Sequence, residues 1–330
     1  MVIRLRAGSR GLMNGWLRIL VVLLAISGDA MAKPDLSQPL GPTLADKGSA
    51  HYRFTRQELA SADGQRHYRI WIAIPEQAAP RAGYPVLYLL DGNAALGALQ
   101  EAQLADLARR GPPVLVFIGY ATDLRFDAAA RAYDYTPPLP GGEPVIDDIA
   151  RQRRGGGADV FLDLIEQRIK PLVQAQAPID RQRQSLWGHS YGGLLTLHAL
   201  FTRPASFQRY IAADPSLWWQ GGFILQEAQA FVARPQPLDL TLLTGGALHE
   251  RRPAGNDNDP QVRARREAVA ALPANADEQL AEQLAAAGHG PVRYKRYPDL
   301  SHGPMLPASL GPALRLGAGD DGVIPHWGAQ

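Results

Sequence analysis

A chain of 330 residues, 46% hydrophobic and 20% charged, has the apolar material for a large core. Its lack of cysteine excludes disulfides, a thiol nucleophile and thiolate metal sites, and its eight histidines show no transition-metal spacing, so no metal or cofactor is expected. The formal charge of +2 becomes −1 without Arg4, Arg6, Arg10, Arg18 and Asp29 of the first 32 residues, which leaves no global case for nucleic-acid binding.

Those first 32 residues read as an export signal. A basic region precedes the apolar run Ile19–Ile26, and Ala30-Met31-Ala32 offers the small residues a signal peptidase reads. The run is short for a hydrocarbon layer of about 30 Å, so no stable membrane span is expected after processing; an uncleaved amino-terminal anchor is the alternative. Residues 33–330 read as one domain, with a proline- and glycine-rich linker over 33–50 and a loose glycine-rich tail over 311–330.

The first strand-like segment, Arg66–Ala73, alternates as a half-exposed or edge strand would. Pro85–Leu90 and Val114–Ile118 are continuous apolar runs, the mark of parallel strands buried on both faces, and Ala94–Arg110 between them has helical spacing. Residues 120–157 are too long for a simple connection, which favours a substrate-facing loop. A helix is expected over Asp159–Ala175, then strands at Ser185–Trp187, Tyr210–Ala213 and Leu238–Leu243. A charged insertion over Arg251–Ala276 reads as solvated surface, and helix Asp277–Ala287 leads to strand Val292–Tyr297. Strand and helix alternating in this way predict an α/β fold, a doubly wound, mostly parallel sheet with helices on both faces.

Gly188-His189-Ser190-Tyr191-Gly192 lies between a strand-like and a helix-like run. In that context Gly-x-Ser-x-Gly is a nucleophile elbow: Ser190 stands on a strained turn at the carboxyl edge of the sheet, with glycines where neighbouring backbone leaves no room for side chains. A serine hydroxyl needs a base to take its proton. His302, in Asp299-Leu300-Ser301-His302-Gly303-Pro304, has the chain order and the position after the last strand that a base requires. His189 is expected to pack below the elbow and His198 to be a core or surface histidine, while His249 and His289 fall in loops. Oxyanion donors are expected from the backbone amides of Tyr191 and Asn93, with Gly92 as the next candidate. The third triad member stays open: Glu250 and Asp214 both have suitable chain order, Asp299 is too close to His302, and a Ser–His dyad is a further possibility.

With those residues in place a resemblance becomes specific. The strings Tyr68–Pro75, Leu89-Leu90-Asp91-Gly92-Asn93-Ala94, Arg131-Ala132-Tyr133-Asp134-Tyr135-Thr136-Pro137, Trp187–Leu194, Pro215-Ser216-Leu217-Trp218-Trp219 and His302-Gly303-Pro304-Met305 resemble the periplasmic siderophore esterases, in the esterase D-like group of α/β-hydrolases. The resemblance runs from about residue 50 to about residue 315, and the Arg131–Pro137 string is its most discriminating part. It implies an α/β-hydrolase fold and an exported, periplasmic enzyme whose partner is a small molecule, a catecholate siderophore of the triserine-lactone type, ferric or iron-free. It also implies Ser190 as nucleophile, His302 as base and Arg131 as a cationic contact to the anionic catecholate. Relatives often manage without a clear third acid. This chain departs from them at Asp214, where serine is common, and at Gly246–His249, where an acid is common. From the residues themselves, Arg131 beside Tyr133 and Tyr135 offers a fixed charge and flat faces for an aromatic anion, with a salt bridge to Asp134 or Asp127 as the alternative. Trp218 and Trp219 are read as packing residues that could also stack on catechol rings. A carboxylesterase for feruloyl or acetyl esters and a non-catalytic siderophore-binding protein are the competing functions.

Overall fold

The computed structural model describes residues 39–142, 144–148, 152–246 and 260–327. The export segment, His249 and Glu250 therefore lie outside the described residues.

Among the described residues eight strands form one sheet. They are β1 (Tyr52–Ala60), β2 (His67–Pro75), β3 (Tyr84–Leu89), β4 (Val114–Tyr120), β7 (Ile179–His189), β8 (Arg209–Ala213), β9 (Leu240–Gly245) and β10 (Val292–Tyr297); β5 (Ile146–Asp148) and β6 (Arg153–Arg154) make a separate hairpin. The order across the sheet is β1-β2-β4-β3-β7-β8-β9-β10. The first two pairings, β1 with β2 and β2 with β4, are antiparallel, and all the others are parallel. Eleven α-helical segments accompany them: α1 (Leu44–Lys47), α2 (Gly92–Ala98), α3 (Glu101–Ala108), α4 (Ala128–Asp134), α5 (Ala158–Leu164), α6 (Lys170–Gln176), α7 (Tyr191–Thr202), α8 (Phe223–Val232), α9 (Pro260–Ala270), α10 (Ala276–Ala286) and α11 (His302–Gly317).

The continuous apolar runs are buried on both faces, as expected, because successive side chains of one strand enter different cores. Val86 and Tyr88 join Leu194, Leu197, Phe161, Ile224 and Leu280 on the face covered by α5, α7, α8 and α10. Leu87 and Leu89 join Leu96, Leu104, Leu306, Leu310 and Leu314 on the face covered by α2, α3 and α11.

Several expectations change. The segment around Arg66–Ala73 is the half-exposed alternative and not an edge strand: β1 lies outside it, and β1 went unread because the edge position leaves its Arg53, Arg56 and Glu58 exposed and breaks the apolar alternation. Ala94–Arg110 is two helices, divided at the extended residue Leu99, with Gln103 Oε1 accepting from the Gln100 amide to start α3. Between α5 and α6 the helix widens into a π-helical turn, Ile165–Ile169, just before Pro171, which cannot donate a helical hydrogen bond. Part of the expected linker packs: α1 is closed by a capping box between Thr43 and Asp46, and the Leu40 amide donates to the Asp123 carbonyl. The expected loose tail begins inside α11: residues 311–317 are its last two turns, with Leu314 and Leu316 buried. The long 120–157 connection carries α4, whose cap Asp127 accepts from the Ala130 amide, and the β5/β6 hairpin.

Candidate active site

β7 ends at His189 and α7 begins at Tyr191, so Ser190 alone makes the turn, at φ 61° and ψ −118°. An L-residue at positive φ is strained and persists only where its surroundings fix it. Here the Ser190 amide donates to the Ala213 carbonyl, and the Ser190 carbonyl accepts from the Ser216 amide. The elbow glycines differ in their reasons. A Cβ on Gly188 would stand 2.2 Å from the Gly192 carbonyl oxygen, whereas one on Gly192 would meet nothing nearer than Leu90 Cβ at 3.4 Å. Gly193, outside the pentapeptide, is the tighter of the two on the helix side, 3.0 Å from the Ala213 carbonyl.

Ser190 Oγ and His302 Nε2 are 3.0 Å apart, and His302 Nδ1 lies 2.5 Å from Asp214 Oδ2. The geometry takes Asp214 from the open set of acids. It sits just beyond β8 at φ 42°, its amide donating to the Leu243 carbonyl and its Oδ1 accepting from the Gly245 amide at 3.1 Å. Burial pushes its carboxyl up, but the His302 hydrogen bond and charge and the Gly245 amide outweigh this and hold it below the usual carboxylate range. The acid is therefore ionised at neutral pH. His302 is the first residue of α11 rather than a loop residue; Ser301 takes the cap position, and Pro304 fits the first turn, where helical amides have no partner to lose.

His189 does pack beneath the elbow. Its Nε2–H donates to the His302 carbonyl at 2.8 Å, and burial pushes its imidazole down to about 3, which keeps it neutral. His189, Asp214 and His302 form one group of metal-capable atoms among the described residues, within 4.8 Å of one another. Both His302 nitrogens and the facing Asp214 oxygen are already hydrogen-bonded, to one another and to Ser190. His198 is a core histidine, with Nδ1 2.8 Å from Glu227 and Nε2 3.6 Å from Asp159.

Asn93 and Tyr191 both stand at helix starts, in α2 after β3 and in α7 after β7, and β3 and β7 are neighbours in the sheet. The Asn93 side-chain donor is committed: its Nδ2 lies 2.9–3.1 Å from the carbonyls of Tyr120, Thr122 and Leu124. What it has to offer a reacting oxygen is its backbone amide.

Arg131 is paired neither with Asp134 nor with Asp127. Its Nε and Nη2 donate to the two oxygens of Asp91 at 2.8 and 2.7 Å, and its guanidinium lies within 5.4–5.6 Å of the Phe126, Tyr135 and Tyr191 ring centres. Asp134 instead pairs with Arg66 at 3.0 Å and accepts from the Tyr68 and Tyr120 hydroxyls. Tyr133 stacks under Arg66.

Sequence reasoning missed Asp147. Its buried carboxylate accepts from the Tyr191 hydroxyl at 2.8 Å, from Trp219 Nε1 at 3.0 Å and from Arg153 at 2.6 Å, so the β5/β6 hairpin is fastened to the residue after Ser190. One of two adjacent aspartates in a long loop gives no pattern that could have found it. Trp219 is thereby a packing residue, while half-buried Trp218 lies 6.1 Å from the Tyr191 ring.

Comparison with known proteins agrees with this architecture. The Esterase family model, described as "Putative esterase", matches residues 61–260. The chain is 46% identical over 194 residues to the apo-salmochelin esterase of Escherichia coli O6:H1 (strain CFT073), a stretch that makes up 59% of this chain and only 60% of that protein's length. It is 34% identical over 280 residues to the ferri-bacillibactin esterase BesA of Bacillus subtilis (strain 168), covering 81% of this chain and 90% of that one. The solved structure of the enterobactin and salmochelin hydrolase IroE superposes with a TM-score of 0.65 at 37% identity, over 84% of this chain and 100% of that chain. With its elbow, its mostly parallel sheet and these matches, the chain belongs to the Esterase family of α/β-hydrolases.

Proposed function

We propose that this chain is a serine esterase that opens the ester bonds of a triserine-lactone catecholate siderophore and so aids iron release. The observation that carries the reading is the continuous Ser190–His302–Asp214 hydrogen-bond relay at the carboxyl edge of the sheet. The substrate class comes from the relatives, which are named for salmochelin, bacillibactin and enterobactin.

On this reading Ser190 Oγ attacks the ester carbonyl carbon while His302 Nε2 takes its proton. Ionised Asp214 holds the Nδ1–H and stabilises the imidazolium that forms. The negative charge that develops on the carbonyl oxygen is met by the Tyr191 and Asn93 amides. Collapse of the tetrahedral intermediate breaks the carbon–oxygen bond, and His302 returns the proton to the departing serine hydroxyl of the lactone. Water, deprotonated by the same ring, then cleaves the acyl-enzyme to a carboxylic acid and free Ser190. Half-buried Trp218, beside Tyr191, is the aromatic surface offered to catechol rings. The basic and apolar pattern of residues 1–32 supports a periplasmic site for this activity. Among the described residues no helix is long and apolar enough to cross a membrane.

The test is to incubate purified protein with iron-free and ferric enterobactin and resolve the products by mass. A linear trimer heavier by one water, and the shorter serine fragments of any further cut, are expected from the wild type and neither from Ser190→Ala. Turnover of a nitrophenyl ester without cleavage of either lactone would assign the chain to another ester class, and lactone cleavage by Ser190→Ala would remove the serine from the mechanism.

A further inference from the structure

Asp91 caps α2 in the left-handed region, at φ 48° and ψ 48°, yet its side chain caps none of that helix's amides. A cap aspartate ordinarily accepts from the second or third helical amide. In α2 the second is the Asn93 amide, the donor expected at the oxyanion. Here both carboxylate oxygens are turned to Arg131, at 2.8 and 2.7 Å, and the Asp91 side chain is 1% exposed. The Asp91 amide is held as well, donating to the Tyr135 hydroxyl at 3.0 Å. Arg131 and Tyr135 are one helical turn apart at the end of α4, so a single element grips Asp91 from both sides.

The neighbourhood leaves α2 little freedom. A Cβ on Gly92 would stand 2.6 Å from the Phe117 and Ile118 backbone, so the helix start lies flat against β4. On the other side, Asp91 Oδ2 is 3.6 Å from where a Cβ on Gly192 would lie, in the first turn of α7. A free carboxylate beside those two helix starts would repel a developing oxyanion. Paired with Arg131, it does not.

We propose that Asp91 is the positioning residue of the oxyanion site, with Arg131 and Tyr135 as its holders. The carboxylate is diverted from capping so that the Asn93 amide stays free, and the grip fixes the turn that presents it. The inference rests on the esterase reading above, and it makes Arg131 act through Asp91 rather than by contacting substrate charge.

Asp91→Asn, Arg131→Lys and Tyr135→Phe in the full chain test it, with neutral nitrophenyl acetate and the catecholate trilactone as substrates. For Asp91→Asn and Arg131→Lys, kcat should fall roughly 10- to 100-fold on both substrates, with KM changed much less, since a misplaced donor weakens the transition state and not ground-state binding. Lysine does not rescue because it cannot make the paired contact. Reaction of Ser190 with diisopropyl fluorophosphate should slow in parallel. Tyr135→Phe, which spares the ion pair, should give a smaller loss of the same kind and serves if Asp91→Asn fails to fold. Amide hydrogen exchange over residues 90–98 should quicken in the variants while β8 and β9 stay protected. Unchanged exchange over 90–98 would overturn the proposal even in a chain without esterase activity, as would a loss confined to the anionic substrate, which would make Arg131 a substrate contact. If the wild type cleaves only the neutral ester, the siderophore reading fails and the positioning role is still decided on that ester.

Discussion

At Asp214 several constraints meet in one residue: a left-handed backbone, an amide donated to Leu243, and a carboxylate divided between the Gly245 amide and the His302 ring. On the proposed mechanism Asp214→Asn should cost about a thousandfold or more in kcat, because an amide can offer N–H to Nδ1 and so favour the wrong tautomer. Turnover within a few-fold of wild type would mean that Ser190 and His302 suffice as a dyad. The elbow glycines give a second residue-scale expectation. Gly188→Ala forces a methyl group against a backbone carbonyl and should destabilise by about 1–3 kcal/mol, while Gly192→Ala, with only ordinary contacts, should be close to neutral in urea unfolding. Equal costs at the two positions would contradict the packing described here.

The elements that matter most are joined by side chains from the 120–157 segment. α4 reaches the start of α2 through Arg131 and Tyr135, and β5 reaches the start of α7 through Asp147. Asp147→Ala leaves the Tyr191 hydroxyl, the Trp219 indole and the Arg153 guanidinium without their shared acceptor. Breaking a buried charge pair and its hydrogen bonds costs about 3–5 kcal/mol, less whatever water recovers. Much of that loss should appear as local opening, read as faster proteolysis over residues 140–155 and weaker binding of catecholate substrate. Wild-type protease resistance would show that the hairpin does not depend on this carboxylate.

Across the whole molecule, the core face of α7 carries a buried charge with a pH signature. Burial works to lower the His198 pKa, but hydrogen bonding and charge from Asp159 and Glu227 prevail and raise it to about 9. A histidine raised in the folded state stabilises fully below its unfolded value near 6.5, and that contribution fades as pH climbs through 9. The wild type should therefore lose up to about 3 kcal/mol more between pH 6.5 and 9 than His198→Gln, on the scale of 1.36 kcal/mol per unit. Parallel stability curves from urea titrations would show that His198 is not charged in the fold.

The alternation of buried strands and helices, the elbow turn and the position of His302 were legible in the chain because each is local. Val114–Phe117 is apolar at every position, Ser190 sits inside its own glycine frame, and His302 follows the last strand. The resemblance carried by Arg131–Pro137 pointed to the family and implied Arg131 as a contact to substrate charge. Only the tertiary structure decided that Arg131 is bound to Asp91, that Asp214 rather than Asp299 faces His302, and that Asp147 holds Tyr191. Those contacts join residues 40, 88 and 44 positions apart in the chain. A carboxylate's partner is set by which loops the sheet order brings together, and that order, with β4 crossing outside β3, is a property of the packed core and not of any one segment.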